Sequence, residues 1–309
     1  NDQLILKSDI ADWYNEGKYK PYAETDIELL IIPLMYYLEN IHPWNRVQRL
    51  IRDFPVTNLE AGYCKVTNLR QVIQDRIKKK GSVTHDMRSM EIRESEHIGT
   101  EPRLVVRKYK SSGGIEYHIS VEIYEDTFLQ MITYRCFCII KFLLWFVGYN
   151  IYFRGRTDKV NSGYVALVGF LRLRLDKNMG ANIIKEIKDC AMIRELHVYG
   201  MVEDISKNGR ENDQNGISYS MVSLQHKGYG KQMMKCAETI AYQEGYKYCA
   251  VISGVGSKKY YETKCGYIKI GTYMRKSLSE YENMYLVILR IMMFSLVFIK
   301  ILEIIYYKF

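Results

Sequence analysis

Apolar and polar positions follow two different periods in the last third of the chain. One face of a helix is predicted by apolar residues three and four positions apart: Met233, Cys236, Ala237, Ile240 and Ala241. Gly245 is expected to end this helix, because glycine accepts the left-handed conformation that follows a helix. The apolar run 248–253 then predicts a buried strand, 257–264 a second helix, and a further strand-like run ends at Met274.

The first eighty residues show the same alternation of helical and extended patterns. Helical spacing marks 24–39 and 69–80, and Gly81 is expected to end the second of these helices. Residues 46–51 have the character of a strand. The helix at 69–80 is also basic, and its charges could either bind phosphates or form a solvated face. Three arginines in and beside the strand are candidates for binding phosphates: Arg46, Arg49 and Arg52.

An interrupted hairpin is predicted in the middle of the chain. Alternation with a period of two marks 103–109 and 117–124, with Gly113 and Gly114 at the turn between them. Residues 127–163 break the pattern, because 137–147 is almost wholly apolar although shorter than the ~20 residues that span a bilayer. Three interpretations remain open: a buried insertion, an unspliced intron translated in frame, and a loop that touches a membrane.

A glycine-containing loop directly precedes the first predicted helix. It reads Gln-His-Lys-Gly-Tyr-Gly over residues 225–230. Gly228 and Gly230 leave the backbone amides uncovered, and the N-terminus of a helix directs such amides and its positive dipole end at one point. The loop is therefore a candidate seat for a pyrophosphate. Alone, a glycine turn that only starts a helix would explain it too, but the strand, loop, helix, strand, helix, strand order favours the phosphate interpretation.

Five strings in the last part of the chain belong together: 193–200, 225–230, 250–256, Tyr260-Tyr261 and Gly266-Tyr267. They resemble the C-terminal domain of one family, the catalytic subunit of Elongator, and that domain is an acetyl-CoA-dependent N-acetyltransferase of the GNAT type. Residues 169–174 resemble an early strand of the same domain. Three upstream strings resemble the end of the family's radical-SAM domain and its junction to the acetyltransferase: 17–22, 43–55 and 86–91.

This resemblance implies an α/β (α+β) chain in three parts. Residues 1–84 would be the C-terminal remnant of a radical-SAM partial barrel, and 85–280 a GNAT acetyltransferase fold that carries the insertion 127–163. A C-terminal hydrophobic helix is expected at 284–307. It is long enough to span a membrane, but a charge such as Arg290 costs about 2.5–3.5 kcal/mol at mid-bilayer. A membrane anchor, a packed helix and a wrongly placed chain end all remain open.

The resemblance also assigns roles to residues. The loop amides would bind the pyrophosphate of acetyl-CoA, and the strand 195–198 would part from its neighbour and pair its backbone with the pantetheine arm. Tyr261 is expected to protonate the departing thiolate, with Tyr260 as the alternative phenol. Packing is the other interpretation for His197 and both tyrosines. The implied cofactor contacts are Glu195, Leu196, His197, Val198, Gln225, Lys227, Gly228, Tyr229, Gly230 and Tyr261.

Composition narrows the class of protein. The chain has 309 residues, 48% of them hydrophobic, so it can bury a sizeable core and is not a disordered chain. Its net charge of +9 suits a polyanionic partner, although an ordinary basic protein is the alternative. The seven cysteines show no paired framework and include no three close enough to hold an iron–sulfur cluster. Reduced, mainly structural thiols in a cytoplasmic protein are expected.

The expected function is the acetyl-CoA-binding part of an enzyme that carboxymethylates wobble uridine 34 of tRNA. The resemblance implies tRNA and other Elongator subunits as partners. A 4Fe-4S cluster and S-adenosylmethionine would belong to the complete enzyme only, so this chain is expected to be a fragment or an incomplete gene model. Two rival functions remain open: a protein (histone) lysine acetyltransferase, and a truncated, non-catalytic relic that binds tRNA or Elongator.

Overall fold

The computed structural model describes these residues: 3–5, 7–50, 56–62, 68–92, 102–124, 136, 153–154, 164–199 and 228–281. The chain divides into two compact units, one of Asn1–Glu91 with Asp158–Val160 and one of Ile92–Thr157 with Asn161–Phe309. Of the helices described, none combines the length and the apolar character that crossing a bilayer requires. The predicted hydrophobic helix at 284–307 and most of the insertion lie outside the described residues, and the predicted domain boundaries stay predictions.

The first unit is mainly helical. Its elements are β1 (Gln3–Ile5), α1 (Asp9–Asn15), α2 (Tyr22–Thr25), α3 (Glu28–Asn40), β2 (Leu59–Gly62), α4 (Leu69–Lys79) and α5 (Met87–Met90). The two strands pair antiparallel. The core joins two helix faces, with Leu30 and Leu38 from α3 packing against Ile73 and Ile77 from α4. Both predicted helices are confirmed, although the first is interrupted at Asp26, whose carboxylate accepts a hydrogen bond from the amide of Glu28.

The strand predicted at 46–51 is wrong over its described part, because 46–50 is irregular. Its backbone is bonded by side chains instead of by a neighbouring strand. The amide of Val47 donates to Oδ1 of Asp86 at 2.7 Å, and Nη1 of Arg70 donates to Oδ2 of the same fully buried carboxylate at 2.7 Å. One buried ion pair thus replaces the hydrogen-bond ladder that a strand would need.

The second unit is built on one sheet. Its elements are β3 (Arg103–Ser111), β4 (Gly114–Tyr124), β5 (Phe153–Arg154), β6 (Tyr164–Leu175), β7 (Cys190–Val198), α6 (Tyr229–Gln243), β8 (Tyr248–Ile252), α7 (Lys258–Cys265), β9 (Ile268–Ile270) and β10 (Tyr273–Ser277). The strand order is β5-β3-β4-β6-β7-β8-β10-β9. Only the β3–β5 and β7–β8 pairs among these strands are parallel. The predicted hairpin, both helices and the buried strand at 248–253 are confirmed. The single strand-like run expected to end at Met274 is instead two antiparallel strands, β9 and β10.

One face of this sheet is apolar and packs against α6. Strands alternate their side chains between two faces, so Ile119, Leu171 and Ile193 lie on the same side and meet Met233 and Ala237 of the helix. All five are at most 1% exposed. The helix spacing predicted from the sequence therefore corresponds to the face that closes the core.

The opposite face is polar, and its part on β3 and β4 is buried. Arg107 and Glu122 form an ion pair there, with side chains 0% and 1% exposed. Ser120 and Tyr124 donate hydroxyl hydrogen bonds to the same carboxylate. Burial alone would raise the pKa of Glu122, but Arg107 and these hydroxyls lower it below its ordinary value. The carboxylate is therefore ionised inside the fold, and its stability depends on a complete set of donors.

We expect Glu122→Gln to lower the free energy of unfolding by about 3–5 kcal/mol, because it removes the carboxylate charge that pairs with the buried Arg107 guanidinium. Denaturant titration at neutral pH measures this. A lowered pKa stabilises the fold fully above the unfolded value of about 4.3, and that contribution is lost as pH falls through the folded value. The difference in unfolding free energy between the unaltered protein and Glu122→Gln should therefore become smaller in acid.

A matched control removes a more exposed ion pair, between β3 and the C-terminal end of α6. Lys108→Met breaks the pair with Glu244, whose side chains are 41% and 34% exposed, and should cost at most about 1 kcal/mol. Equal losses in the two variants would contradict the special weight given to the buried pair.

Candidate functional site

β7 leaves its parallel neighbour part of the way along its length. Its pairing with β8 covers Cys190–Ile193 only, while its pairing with β6 continues to Val198. A bulge marks the change, because Ile193 faces Leu173 and Glu195 faces Arg172, which leaves one extra residue between them. Among the described strands, residues 194–198 therefore have one edge of backbone that β8 does not cover.

The N-terminus of α6 has the geometry predicted for the glycine loop. Gly228 is the N-cap and has a φ of 81°, a left-handed conformation that favours glycine. The first backbone hydrogen bond of the helix runs from the amide of Gln232 to the carbonyl of Gly228 at 3.0 Å. The amides of the first helical turn come before it and have no acceptor within the helix. A Cβ built on Gly228 would meet no described atom within 4 Å.

The three predicted parts of the site meet at Gly230. A Cβ built there would lie 2.9 Å from the hydroxyl of Tyr260 and 3.5 Å from Cγ2 of Val198. The helix start therefore lies close both to the uncovered end of β7 and to the first residues of α7. A side chain at position 230 would compete with the phenol for space.

The two neighbouring tyrosines of α7 have different surroundings. Tyr261 is 6% exposed and packs edge-on against Tyr267, with ring centroids 6.1 Å apart. Tyr260 is half-buried and places its hydroxyl at the start of α6. Burial raises the pKa of both phenols, and the neighbouring Cys265 thiol raises that of Tyr260 further. Both hold their protons at neutral pH, and only Tyr260 is seen at the helix N-terminus.

Alternation after the bulge separates the residues of the predicted strand. Leu196 and Val198 pack with the core on the α6 side. Glu195 and His197 lie on the polar face, where the two side chains are 36% and 46% exposed and Nε2 of His197 is 3.9 Å from Oε2 of Glu195. The His197 ring stacks on Phe170 with centroids 5.0 Å apart. Glu195 and His197 therefore direct their side chains away from Tyr260, and only their backbone lies beside the helix start.

Gly169 is a site-shaping residue that sequence reasoning missed. A Cβ built on it would meet the carbonyl oxygen of His197 at 2.7 Å and Cε of Met233 at 3.2 Å. It lets β6 approach β7 and α6 where the uncovered part of β7 ends. A glycine inside an apolar strand is the signal that could have identified it.

The candidate phosphate-binding arginines differ from one another. Nε of Arg46 donates to Oε1 of Glu91 at 2.9 Å, so its charge is already paired, whereas Arg49 is exposed. Arg52 lies outside the described residues, as do Gln225 and Lys227 of the glycine loop. In the part of the chain that the structure describes, no group of three or more His, Cys, Asp or Glu side chains is arranged to hold a metal ion.

Comparison with known proteins first defines the class. Residues 3–79 match the family model of the Radical_SAM C-terminal domain. The chain is 31% identical over 283 residues to Elongator complex protein 3 of Drosophila melanogaster, which covers 90% of this chain and 41% of that protein. It is 30% identical over 288 residues to the tRNA uridine(34) acetyltransferase of Methanocaldococcus infernus. That alignment covers 89% of this chain and 42% of the relative.

A solved structure agrees with these relatives. The archaeal Methanocaldococcus infernus Elp3 with an N-terminal deletion superposes with a TM-score of 0.59 at 26% identity, covering 89% of this chain and 53% of that one. The chain thus combines a radical-SAM C-terminal domain with a mixed α/β unit. Over about nine-tenths of its length it is a homologue of Elongator complex protein 3, which confirms the resemblance read from the sequence. It spans about two-fifths of the length of the curated relatives it matches.

We expect Gly230→Ala to destabilise the protein, since the added methyl group would collide with the Tyr260 hydroxyl. Such overpacking costs about 1–3 kcal/mol, which exceeds the gain of up to ~1 kcal/mol from replacing glycine in a helix. In a Tyr260→Phe background, the same replacement should become neutral or stabilising, because the colliding oxygen is gone. Thermal unfolding of the four proteins measures this change of sign.

Gly256→Ala is the control, because a Cβ there would meet nothing within 4 Å and the residue does not need a positive φ. It should change the melting temperature little in either background. If Gly230→Ala were equally costly with Phe at position 260, the contact with the hydroxyl would not be what requires glycine.

Proposed function

We propose that the second unit is a GNAT-type acetyl-CoA-binding domain and that it serves in carboxymethyl modification of wobble uridine 34 in tRNA. The observation that carries the proposal is the meeting of an uncovered strand edge, an open helix N-terminus and a protonated phenol at Gly230. The sheet order and its parallel β7–β8 pair support a GNAT-type fold. The name tRNA uridine(34) acetyltransferase, borne by relatives, supports the substrate.

The residues present fit acetyl-CoA part by part. A pyrophosphate needs amide donors with no side chain in front of them, and the start of α6 offers these behind the open Gly228. A pantetheine arm has amides of its own, and the uncovered backbone of 194–198 can pair with them as a strand would. Acetyl-CoA supplies the acetyl thioester. The apolar Leu196 and Val198 border this slot and limit the access of water.

A phenol would supply the proton that a departing thiolate requires. The sequence favours Tyr261 for this role, with Tyr260 as the alternative phenol. The raised pKa values keep both groups as donors and not as bases. The Tyr260 hydroxyl lies at Gly230, beside the amides proposed for the pyrophosphate, and Tyr261 packs edge-on against the Tyr260 ring with centroids 5.4 Å apart.

The rest of the reaction needs groups beyond these residues. The radical-SAM C-terminal match implies S-adenosylmethionine and a 4Fe-4S cluster in the complete enzyme. The cysteines of this chain do not fit a cluster, because Cys190, Cys236 and Cys249 are buried on separate elements and no three cysteines are closely spaced. Full activity would thus require a cluster-binding region, with tRNA and other Elongator subunits as partners. A cytoplasmic location and membrane contact through 284–307 stay predictions.

We expect Gly228→Ala to weaken acetyl-CoA binding tenfold or more, because it strains the left-handed turn and covers the approach to the α6 amides. Isothermal titration of the purified chain with acetyl-CoA measures the dissociation constant. Gly245→Ala is the matched control. Gly245 also has a positive φ, of 87°, and open space around it, but it follows the C-terminal end of the same helix.

Both variants should lose similar stability, and only the first should lose affinity. If the unaltered chain failed to bind acetyl-CoA, the proposed cofactor would be wrong. Acetyl transfer to histone peptides without any stimulation of CoA release by tRNA would instead favour a protein lysine acetyltransferase.

We expect Arg49→Gln to weaken tRNA binding several-fold and to reduce the slope of log affinity against log salt by about 1, as loss of one phosphate contact does. Arg49 is exposed, whereas Arg46 is neutralised by Glu91, so Arg46→Gln should have the smaller effect. Filter binding at several salt concentrations measures both. Equal effects of the two substitutions would mean that net charge, and not a specific contact, governs the affinity.

A further inference from the structure

The bulge in β7 turns two consecutive side chains to the same side of the sheet. Ile193 and Leu196 lie on the apolar side, while Arg194 and Glu195 between them both point to the polar face. A regular strand would have placed them on opposite faces. Arg194 is the extra residue, and it directly follows Ile193, the last residue of β7 that pairs with β8.

Arg194 reaches across β6 to a buried carboxylate on β4. Its Nη1 lies 2.5 Å from Oε1 of Glu116, whose side chain is 3% exposed. The hydroxyl of Tyr109 on β3 donates to Oε2 at 2.8 Å, and Nη1 of Arg174 on β6 lies 3.5 Å from Oε1. One carboxylate therefore receives donors from three strands, of which Arg194 is the only described one from β7.

The charge on Glu116 is held in place by these donors. Burial would raise its pKa, but the hydrogen bonds from Tyr109 and Arg194 and the charge of Arg172 lower the pKa below its ordinary value. Arg174 also donates to the carbonyl oxygens of Ser111 and Ser112 and to Asp176. Arg174 is thus committed to the hairpin turn, and Arg194 is the partner that links the carboxylate to the bulge.

The Arg194 side chain is 48% exposed, so it contributes little to the core. What distinguishes Arg194 is its position, because its ion pair with Glu116 lies at the residue where β7 stops pairing with β8. Without that tie, the extra residue could be absorbed by a regular strand, which would restore alternation and move Glu195 to the other face.

We propose that the Glu116–Arg194 ion pair is a positioning pair that holds the bulge of β7 and so keeps open the slot in which acetyl-CoA binds. This inference rests on the proposed function of the same site. Neither residue is assigned a contact with acetyl-CoA. Their effect is on the backbone of 195–198, which presents its amides and carbonyls to the ligand.

Arg194→Met should raise the dissociation constant for acetyl-CoA at least tenfold, as titration calorimetry of the full chain would measure. Arg174→Met is the matched control, since it removes another arginine from the same carboxylate without touching the bulge. It should lower the melting temperature and change the dissociation constant less than about twofold. Arg194→Lys should recover part of the affinity, because a single ammonium can still reach the carboxylate.

Two further measurements separate positioning from general stability. Adding Glu116→Gln to Arg194→Met should weaken binding no further than Arg194→Met alone, as expected for two residues that act as one pair. Amide hydrogen exchange without ligand should become faster in 194–198 for Arg194→Met and remain unchanged there for Arg174→Met.

The exchange result decides the inference independently of the cofactor. Unchanged exchange in 194–198 on loss of Arg194 would overturn it, whether or not acetyl-CoA binds. If Arg194→Met exchanged faster in 194–198 but the unaltered chain did not bind acetyl-CoA, the positioning pair would stand and the proposed ligand would be rejected. Equal losses of affinity in Arg194→Met and Arg174→Met would also overturn it.

Discussion

The parting of β7 from β8 is the constraint on which the second unit depends. A strand that leaves its neighbour exposes backbone donors and acceptors, and such groups are tolerated only where another partner or water reaches them. Here the separation begins at Ile193, is marked by a bulge and is tied to Glu116 across the sheet. The close passage at Gly169 and the glycine start of α6 are arranged around the same opening.

Two different kinds of packing support this opening from the two sides of the sheet. On one side, apolar strand residues and the buried face of α6 form a continuous core. On the other, ionised groups such as Arg107 and Glu122 are buried with nearly complete sets of partners. An apolar side resists deformation by exclusion of water, and an ionic side resists it because every lost contact leaves a charge unpaired. The site lies where both meet.

The local elements could be predicted from the sequence because their signals are local. The spacing of apolar residues gave α6, and the glycines at 228 and 245 gave its two ends, both with positive φ. The strand expected at 46–51 failed because its backbone is satisfied by Asp86, a residue far away in sequence. The sequence could not show which face of the sheet Glu195 and His197 occupy, because one bulge residue, Arg194, shifts the alternation. The partner of Arg194, Glu116, lies 78 positions earlier in the chain.

Gly230 and Tyr260 divide one small volume between them, although thirty positions separate them in the chain. A side chain at 230 and a hydroxyl at 260 therefore exclude each other. A protein with a larger residue at 230 can recover its packing if Tyr260 is replaced by Phe. That replacement removes the hydroxyl, which is the group that carries the proton. Compensated substitution here would leave a well-folded domain that lacks this phenol oxygen, so the residues at 230 and 260 should covary among relatives.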